Sequence, residues 1–142
     1  MIRPLLALVL TVAVSWPAFA AEPDVQPGQW KYTNTTKISG AGMDLPEQRQ
    51  TNTHCVTESD IAEAETFMDD AERCEIAQRS VEADAMSYTM ICPDQQGGEM
   101  RVQVDMQLMG DRVRGQSEAT MQMNGQSMDV VTQIEGRRVG DC

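Results

Sequence analysis

Residues 100–130 read MRVQVDMQLMGDRVRGQSEATMQMNGQSMDV and contain the clearest structural signal in the chain. Apolar and polar residues alternate through MRVQVDMQL, which predicts a β-strand with one buried face. Gly110-Asp111 and Asn124-Gly125 then mark two turns. Asn-Gly is the strongest short hairpin signal, because a type I′ turn requires positive φ at both central residues. The stretch therefore predicts three consecutive antiparallel strands.

Each of these turns fixes a pairing register. The first turn places Met106 opposite Gly115, and the second places Met121 opposite Met128 and Gly115 opposite Ile134. Both registers bury the same face of the middle strand. A slip of one residue in either register would turn that strand's side chains to the other face and break the agreement.

A further hairpin is predicted upstream, from residues 73–81 and 85–92 on either side of Ala83. Its register pairs Ile76 with Met90, Gln78 with Tyr88 and Cys74 with Cys92. Directly opposed Cβ atoms of antiparallel strands are about 4.5–5.5 Å apart, which is close enough for a disulfide. The hairpin therefore predicts a Cys74–Cys92 bridge.

The remaining cysteines, Cys55 and Cys142, are then left to pair with each other. A metal site is the alternative for the cysteines, but no CxxC pair is present and His54 is the only histidine. A redox-active thiol pair would also need a different spacing. We therefore predict two structural disulfides.

The first two strands are predicted from a weaker pattern. Alternation from Gln29 runs on to Ile38, a Gly-rich turn follows, and residues 47–55 return as a polar strand. The expected register places Trp30 opposite Thr53. Few apolar residues define this register.

One helix is predicted, over residues 58–68. Thr57 is a candidate N-cap and Asp60 follows three residues later, as in a capping box. Val56 and Ile61 have the spacing of a hydrophobic staple. The acidic residues that follow indicate a solvated helix face, with cation binding as the alternative.

These elements predict a mainly β (α+β) fold: a seven-stranded antiparallel meander, strongly curled or closed, packed on one short helix. Cys55 follows the second strand and Cys142 follows the seventh. A bond between them would place the seventh strand beside the first, which favours closure. An open two-layer α+β sheet is the alternative.

The chain begins with an expected export signal. Residues 1–20 combine Arg3, an apolar run too short to span a bilayer, and the small-x-small pattern Ala18-Phe19-Ala20. Cleavage after Ala20 would leave a single domain, 21–142, with 122 residues and a net charge of −12, because Arg3 is removed from a chain of −11. We expect a periplasmic protein without stable membrane insertion; an uncleaved anchor is the alternative.

Four landmarks together resemble an exported bacterial family known only as domain of unknown function 3617. They are Pro27-Gly28-Gln29-Trp30, Cys55-Val56-Thr57, the Cys74/Cys92 hairpin, and the ending Gly136-Arg137-Arg138-Val139-Gly140-Asp141-Cys142. The chain departs from the family where Glu58 replaces a proline. The resemblance implies a signal-bearing periplasmic protein and no established activity.

The composition excludes several classes of function. A net charge of −11 argues against a nucleic-acid surface, which needs clustered Lys and Arg. A single histidine removes most triad and multi-His metal schemes. Neither GxSxG, HExxH, a P-loop nor a dinucleotide motif is present. We therefore expect no catalytic constellation and no cofactor.

Three features remain as candidate sites. Met121, Met123 and Met128 form a candidate Cu(I) site of thioether ligands, with adaptable core packing as the alternative. The small inward residues of strand six would either admit the helix or leave a cavity for an apolar ligand; they are Gly115, Ser117 and Ala119. Arg137-Arg138 would bind an anion or pair with Asp141 and nearby acids.

The sequence therefore favours a non-catalytic periplasmic protein that binds a small apolar ligand or an envelope partner. A Met-based copper or other metal binder is the second hypothesis. An uncharacterised hydrolase is the third.

Overall fold

The computed structural model of the chain describes residues 22–40, 42–63, 74–93, 98–123 and 125–142. The predicted signal segment and its cleavage point lie outside these residues. The elements in chain order are β1 (Gly28–Gly40), β2 (Met43–Asp44), β3 (Gln48–Val56), α1 (Glu58–Glu63), β4 (Glu75–Val81), β5 (Ala85–Pro93), β6 (Glu99–Leu108), β7 (Arg112–Met123) and β8 (Gln126–Gly140).

All the strands belong to one antiparallel sheet. The long strands lie in the order β3-β1-β8-β7-β6-β5-β4, and the two-residue β2 pairs with the far end of β1. In β6, Val102, Val104, Met106 and Leu108 are buried, and the residues between them are exposed. The mainly β class, with one short helix, is therefore confirmed.

The registers around β7 are also confirmed. Met106 lies opposite Gly115, Gly115 opposite Ile134, and Met121 opposite Met128. Both turns have glycines with positive φ, 71° at Gly110 and 77° at Gly125. Turn chemistry and the buried face together define these pairings, because a one-residue slip would expose the apolar set.

The predicted register between the first two long strands is wrong by one residue. Trp30 lies opposite His54, not Thr53, along the β1–β3 pair. Residues of β3 before Val56 are exposed, so no buried face selects the register. The short β2 also forms part of the connection between β1 and β3.

The β4–β5 hairpin follows the predicted register only at its start. Ile76 lies opposite Met90, but the register then shifts before Gln78, so Arg79 lies opposite Tyr88. One extra residue on one strand is the signature of a β-bulge, which no hydrophobic pattern reveals.

Both expected disulfides are present. Cys74–Cys92 has a Cα–Cα distance of 4.2 Å, and Cys55–Cys142 has one of 5.8 Å. No cysteine is free. The register next to the turn, continued along β4, would place Cys74 opposite Pro93, and the bulge shifts it by one residue so that Cys74 faces Cys92.

The expectation of a strongly curled or closed sheet is wrong. The Cys55–Cys142 bond does accompany β1–β8 pairing, but β3 lies on the other side of β1. Closure would require β3 to pair with β4, and in the described part of the chain these strands are the two opposite edges. The sheet is therefore open.

The core covers one face of the sheet around Trp30, which is fully buried. Its indole N–H donates to the carbonyl of Gln26 at 2.9 Å, and its ring stacks on Tyr32 with centroids 6.0 Å apart. Ile61 of α1 and Val25 join the same hydrophobic cluster. The helix therefore packs on the apolar face of the sheet.

The start of α1 has the predicted capping box. Thr57 donates its backbone N–H and its hydroxyl to the Asp60 carboxylate at 2.8 and 2.7 Å. The backbone N–H of Asp60 in turn donates a hydrogen bond to the Thr57 hydroxyl at 3.2 Å. The two hydrogen bonds from Thr57 hold the pKa of Asp60 below its ordinary value. The helix is described as far as Glu63, and predicted positions 64–68 lie outside the described residues.

Candidate functional site: the polar face of the sheet

The face opposite the core presents polar side chains in continuous rows across the strands. Register pairs join one side chain from each of the seven long strands. The row is Arg49, Thr35, Gln133, Gln116, Asp105, Ser87 and Ser80. A second row lies beside it and consists of Thr51, Thr33, Glu135, Arg114, Gln107 and Ala85. Strand alternation alone therefore brings these distant residues together.

A groove of about 720 Å³, which we call the polar-face groove, is lined by the whole first row and by the Glu135-to-Ala85 part of the second. The basic residues that line it are Arg49 and Arg114. The acidic residues are Glu82, Asp105 and Glu135. Gly115 and three apolar residues, Met86, Met106 and Ile134, complete the lining. The groove thus offers hydrogen-bond donors, acceptors and both signs of charge.

Hydrogen bonds between side chains orient the amides along the groove. Gln133 donates Nε2–H to Oε1 of Gln116 at 2.6 Å. Gln116 in turn donates Nε2–H to Glu118. On β6, Gln103 donates to Asp105 at 3.2 Å. Such a chain reduces the rotational freedom that these side chains would lose on binding a ligand.

The paired arginines near the end of β8 have separate environments. Arg138 donates Nε–H to the carbonyl of Pro27 at 2.7 Å and forms an ion pair with Asp141. Arg137 points to the polar face, where Lys31 and Arg112 are its register partners. Of the two alternatives for these arginines, Arg138 therefore shows pairing with Asp141. Arg137 lies instead beside Lys31 and Arg112 on the polar face.

The candidate Met site is only partly within the described side chains. Met121 and Met128 lie directly opposite each other, and Met128 is 5% exposed. The side chain of Met123 lies outside those the structure describes. Among the described residues, no group of three or more His, Cys, Asp or Glu could hold a metal ion. Copper binding by these thioethers stays a prediction.

Gly115, the smallest inward residue of β7, lies against the neighbouring strand. A Cβ at this position would lie 2.2 Å from Sδ of Met106 and 2.5 Å from the carbonyl oxygen of Asp105. The missing side chain therefore makes room for Met106. The apolar-ligand cavity suggested by Gly115, Ser117 and Ala119 stays a prediction.

His54 is exposed on β3. Most of the acidic segment after Asp60 lies outside the described residues. No helix in the described ranges is long and apolar enough to cross a membrane.

Sequence reasoning missed the polar-face groove. The two confirmed registers already placed Gln133 opposite Gln116 and Glu135 opposite Arg114, so part of both rows was accessible from the turns. The position of Thr35 in the first row could not be predicted from the turns, because it depends on the register between the distant strands β1 and β8.

Fold and site define a class: a small, mainly β protein with an open antiparallel sheet, two disulfides and a polar groove on its exposed face. The chain belongs to the family described as "Protein of unknown function (DUF3617)", whose profile matches residues 25–142. Neither the curated proteins nor the solved structures gave a match.

Proposed function

We propose that this is an exported, non-catalytic binding protein of the bacterial periplasm that holds a small polar ligand in the polar-face groove. The observation that carries the proposal is the continuous row of polar side chains from all seven long strands along a groove of about 720 Å³. A surface that served only to keep the sheet hydrated would not need such a concavity.

The chemistry of the lining supports a polar ligand. Gln116 and Gln133 present amides whose orientation is set by hydrogen bonds. In the same row, Arg49 lies at one end and Asp105 lies next to Gln116. No histidine or cysteine is among the residues lining the groove. Binding, rather than nucleophilic or acid–base chemistry, is the function this lining supports best.

The proposed location has separate support. Two disulfides and no free cysteine are typical of proteins that fold in an oxidising compartment. The sequence prediction of a signal segment ending at Ala20 agrees with this compartment.

Native mass spectrometry of the protein released from the periplasm tests the proposal. We expect a bound small molecule that is lost when Gln116 and Gln133 are both replaced by Ala. Gln122→Ala is the matched control, because Gln122 lies on the same face of β7 outside the groove. Apo protein alone, or equal loss from the control, would contradict the proposal.

Two earlier hypotheses remain as alternatives. A small apolar ligand or an envelope partner would bind elsewhere on the molecule, so it would survive the double glutamine substitution. Copper binding is favoured by the direct opposition of Met121 and Met128. Unchanged Cu(I) affinity after replacement of Met121, Met123 and Met128 by Leu would exclude that site.

A further inference from the structure

Four basic side chains meet at one end of the polar face. Lys31 on β1 lies opposite Arg137 on β8, and Arg137 lies opposite Arg112 on β7. Arg114 is two residues further along β7 on the same face. We call Lys31, Arg112, Arg114 and Arg137 the basic cluster.

The cluster is unexpected in so acidic a chain. The sequence has 11 Lys and Arg against 22 Asp and Glu, yet four of those bases occupy neighbouring positions. Like charges directly opposite each other on a sheet are destabilising. The arrangement therefore opposes folding unless another charge compensates it.

Protein carboxylates compensate the cluster only in part. Arg112 forms an ion pair with Asp111 at 3.5 Å, with both side chains 63% exposed. Lys31, Arg114 and Arg137 have no ion pair within the described residues, although Glu135 lies opposite Arg114. The uncompensated positive charge of the group is available to a ligand.

A cavity of about 350 Å³ lies among these side chains. All four members of the basic cluster line it, and Glu135 is the single acid among its lining residues. Arg114 and Glu135 line both this cavity and the polar-face groove, so the two adjoin at these residues. A ligand that fills this end of the groove would therefore lie next to the cluster.

The donor set indicates the kind of anion. Guanidinium groups bind carboxylate and phosphate oxygens in bidentate fashion, and phosphate has enough oxygens for several such groups at once. Four cations against two carboxylates, Glu135 in the lining and Asp111 beside Arg112, leave a local charge of about +2 at neutral pH. A multiply charged, multi-oxygen anion matches this better than a single carboxylate.

We propose that the basic cluster binds the phosphoryl group of an anionic ligand. The inference rests on the proposed function, because the cluster would hold the charged end of a ligand whose remainder lies in the polar-face groove. The cluster is exposed, so the attraction falls as ionic strength rises and the Debye length shortens.

The first test is titration with inorganic pyrophosphate at low ionic strength. Binding is measured by calorimetry or by the NMR shifts of β7 and β8 amides. Arg137→Gln and Arg114→Gln should each weaken binding about two- to fivefold, as expected for exposed charge pairs. Arg137→Glu should weaken it further. Arg101→Gln is the matched control and should leave the affinity unchanged. Arg101 is on β6, on the same face of the sheet as the basic cluster but outside the cavity.

Thermal stability without anion separates a binding role from a structural one. Arg137→Gln should keep or raise the melting temperature, because it removes repulsion from Lys31 and Arg112. A fall in melting temperature with unchanged pyrophosphate affinity would show a structural role and overturn the proposal.

A second arm distinguishes the sources of the phosphoryl group. Flotation with phosphatidylglycerol vesicles that is lost in Arg137→Gln would support a lipid headgroup; pyrophosphate binding without flotation would support a free anion. Failure of both, or equal loss in Arg101→Gln, would overturn the inference. These outcomes do not decide the proposed function. If replacement of Gln116 and Gln133 still removes the native ligand, the proposed function stands and only the phosphoryl inference fails.

Discussion

Tyr32 has a buried hydroxyl that lacks a hydrogen-bond partner in the described part of the chain. Its ring nevertheless stacks on Trp30 and covers Gly136. A buried hydroxyl without a partner costs about 1–3 kcal/mol. We predict that Tyr32→Phe increases the free energy of unfolding by about 1 kcal/mol, measured by urea denaturation at pH 7. A clear loss of stability would show that the hydroxyl has a partner such as bound water.

The same hydroxyl predicts a dependence of stability on alkaline pH. Burial raises the pKa of Tyr32 to about 12, whereas an unfolded tyrosine titrates near 10. Folding therefore favours the neutral form, and its contribution is complete below about pH 10 and is lost as pH rises towards 12. The Tyr32→Phe variant should lack this part of the decline, as compared by denaturation at pH 9 and pH 11.

Gly136 allows β8 to pass directly beneath an aromatic ring. A Cβ there would lie 2.6 Å from both Cε1 of Tyr32 and Cγ2 of Val113. We predict that Gly136→Ala lowers the free energy of unfolding by about 1–3 kcal/mol, through overpacking. Gly140→Ala is the control on the same strand, since no atom lies within 4 Å of its Cβ. Similar losses in both variants would contradict the explanation.

Removal of each disulfide should lower the free energy of unfolding by a different amount. Cys55–Cys142 links the end of β3 to the segment after β8 and spans 87 residues, whereas Cys74–Cys92 joins β4 to β5 over 18. On chain entropy alone, the long loop contributes about 4–5 kcal/mol and the short one about 3. Paired Cys→Ser variants should follow this order in chemical denaturation. A larger loss from the short loop would show that native packing dominates.

Sequence reasoning predicted those strand pairs whose register is fixed twice, by a turn and by a buried face. For β7, Gly110 and Asn124-Gly125 set the turns, and the apolar residues agree with both. The β1–β3 pair lacks that second constraint, since most of β3 is exposed. The bulge after Ile76 has no hydrophobic signature either.

At the scale of the whole molecule, the register of the long-range β1–β8 pair and the identity of the two edge strands were the parts that the sequence could not provide. The Cys55–Cys142 link correctly implied that β8 lies beside β1, but no disulfide links β3 to β4, so their places at opposite edges of the sheet were not predicted. The basic cluster depends on the same pairing, since Lys31 and Arg137 are far apart in sequence. A site formed by such contacts becomes visible only once the sheet order is known.

The proposed export predicts one mass for the whole molecule. Protein recovered from the periplasm should begin at Ala21, the residue after the predicted cleavage point. Its mass should be four hydrogens below that of the reduced 21–142 chain, because each of the two disulfides removes two. Intact-mass spectrometry before and after reduction measures both quantities. Retention of residues 1–20 in the periplasmic protein would contradict the cleavage prediction.

The two disulfides are nested, since Cys74–Cys92 lies inside the loop that Cys55–Cys142 closes. A chain that emerges from a translocation channel exposes Cys55 first and Cys74 next, so its first two thiols are not native partners. Oxidation at that moment would give a wrong bond that must be exchanged through a mixed disulfide. Maturation should therefore depend on a disulfide isomerase. Acid-trapped oxidation intermediates, mapped by proteolysis in cells with and without such an enzyme, would show whether Cys55–Cys74 accumulates.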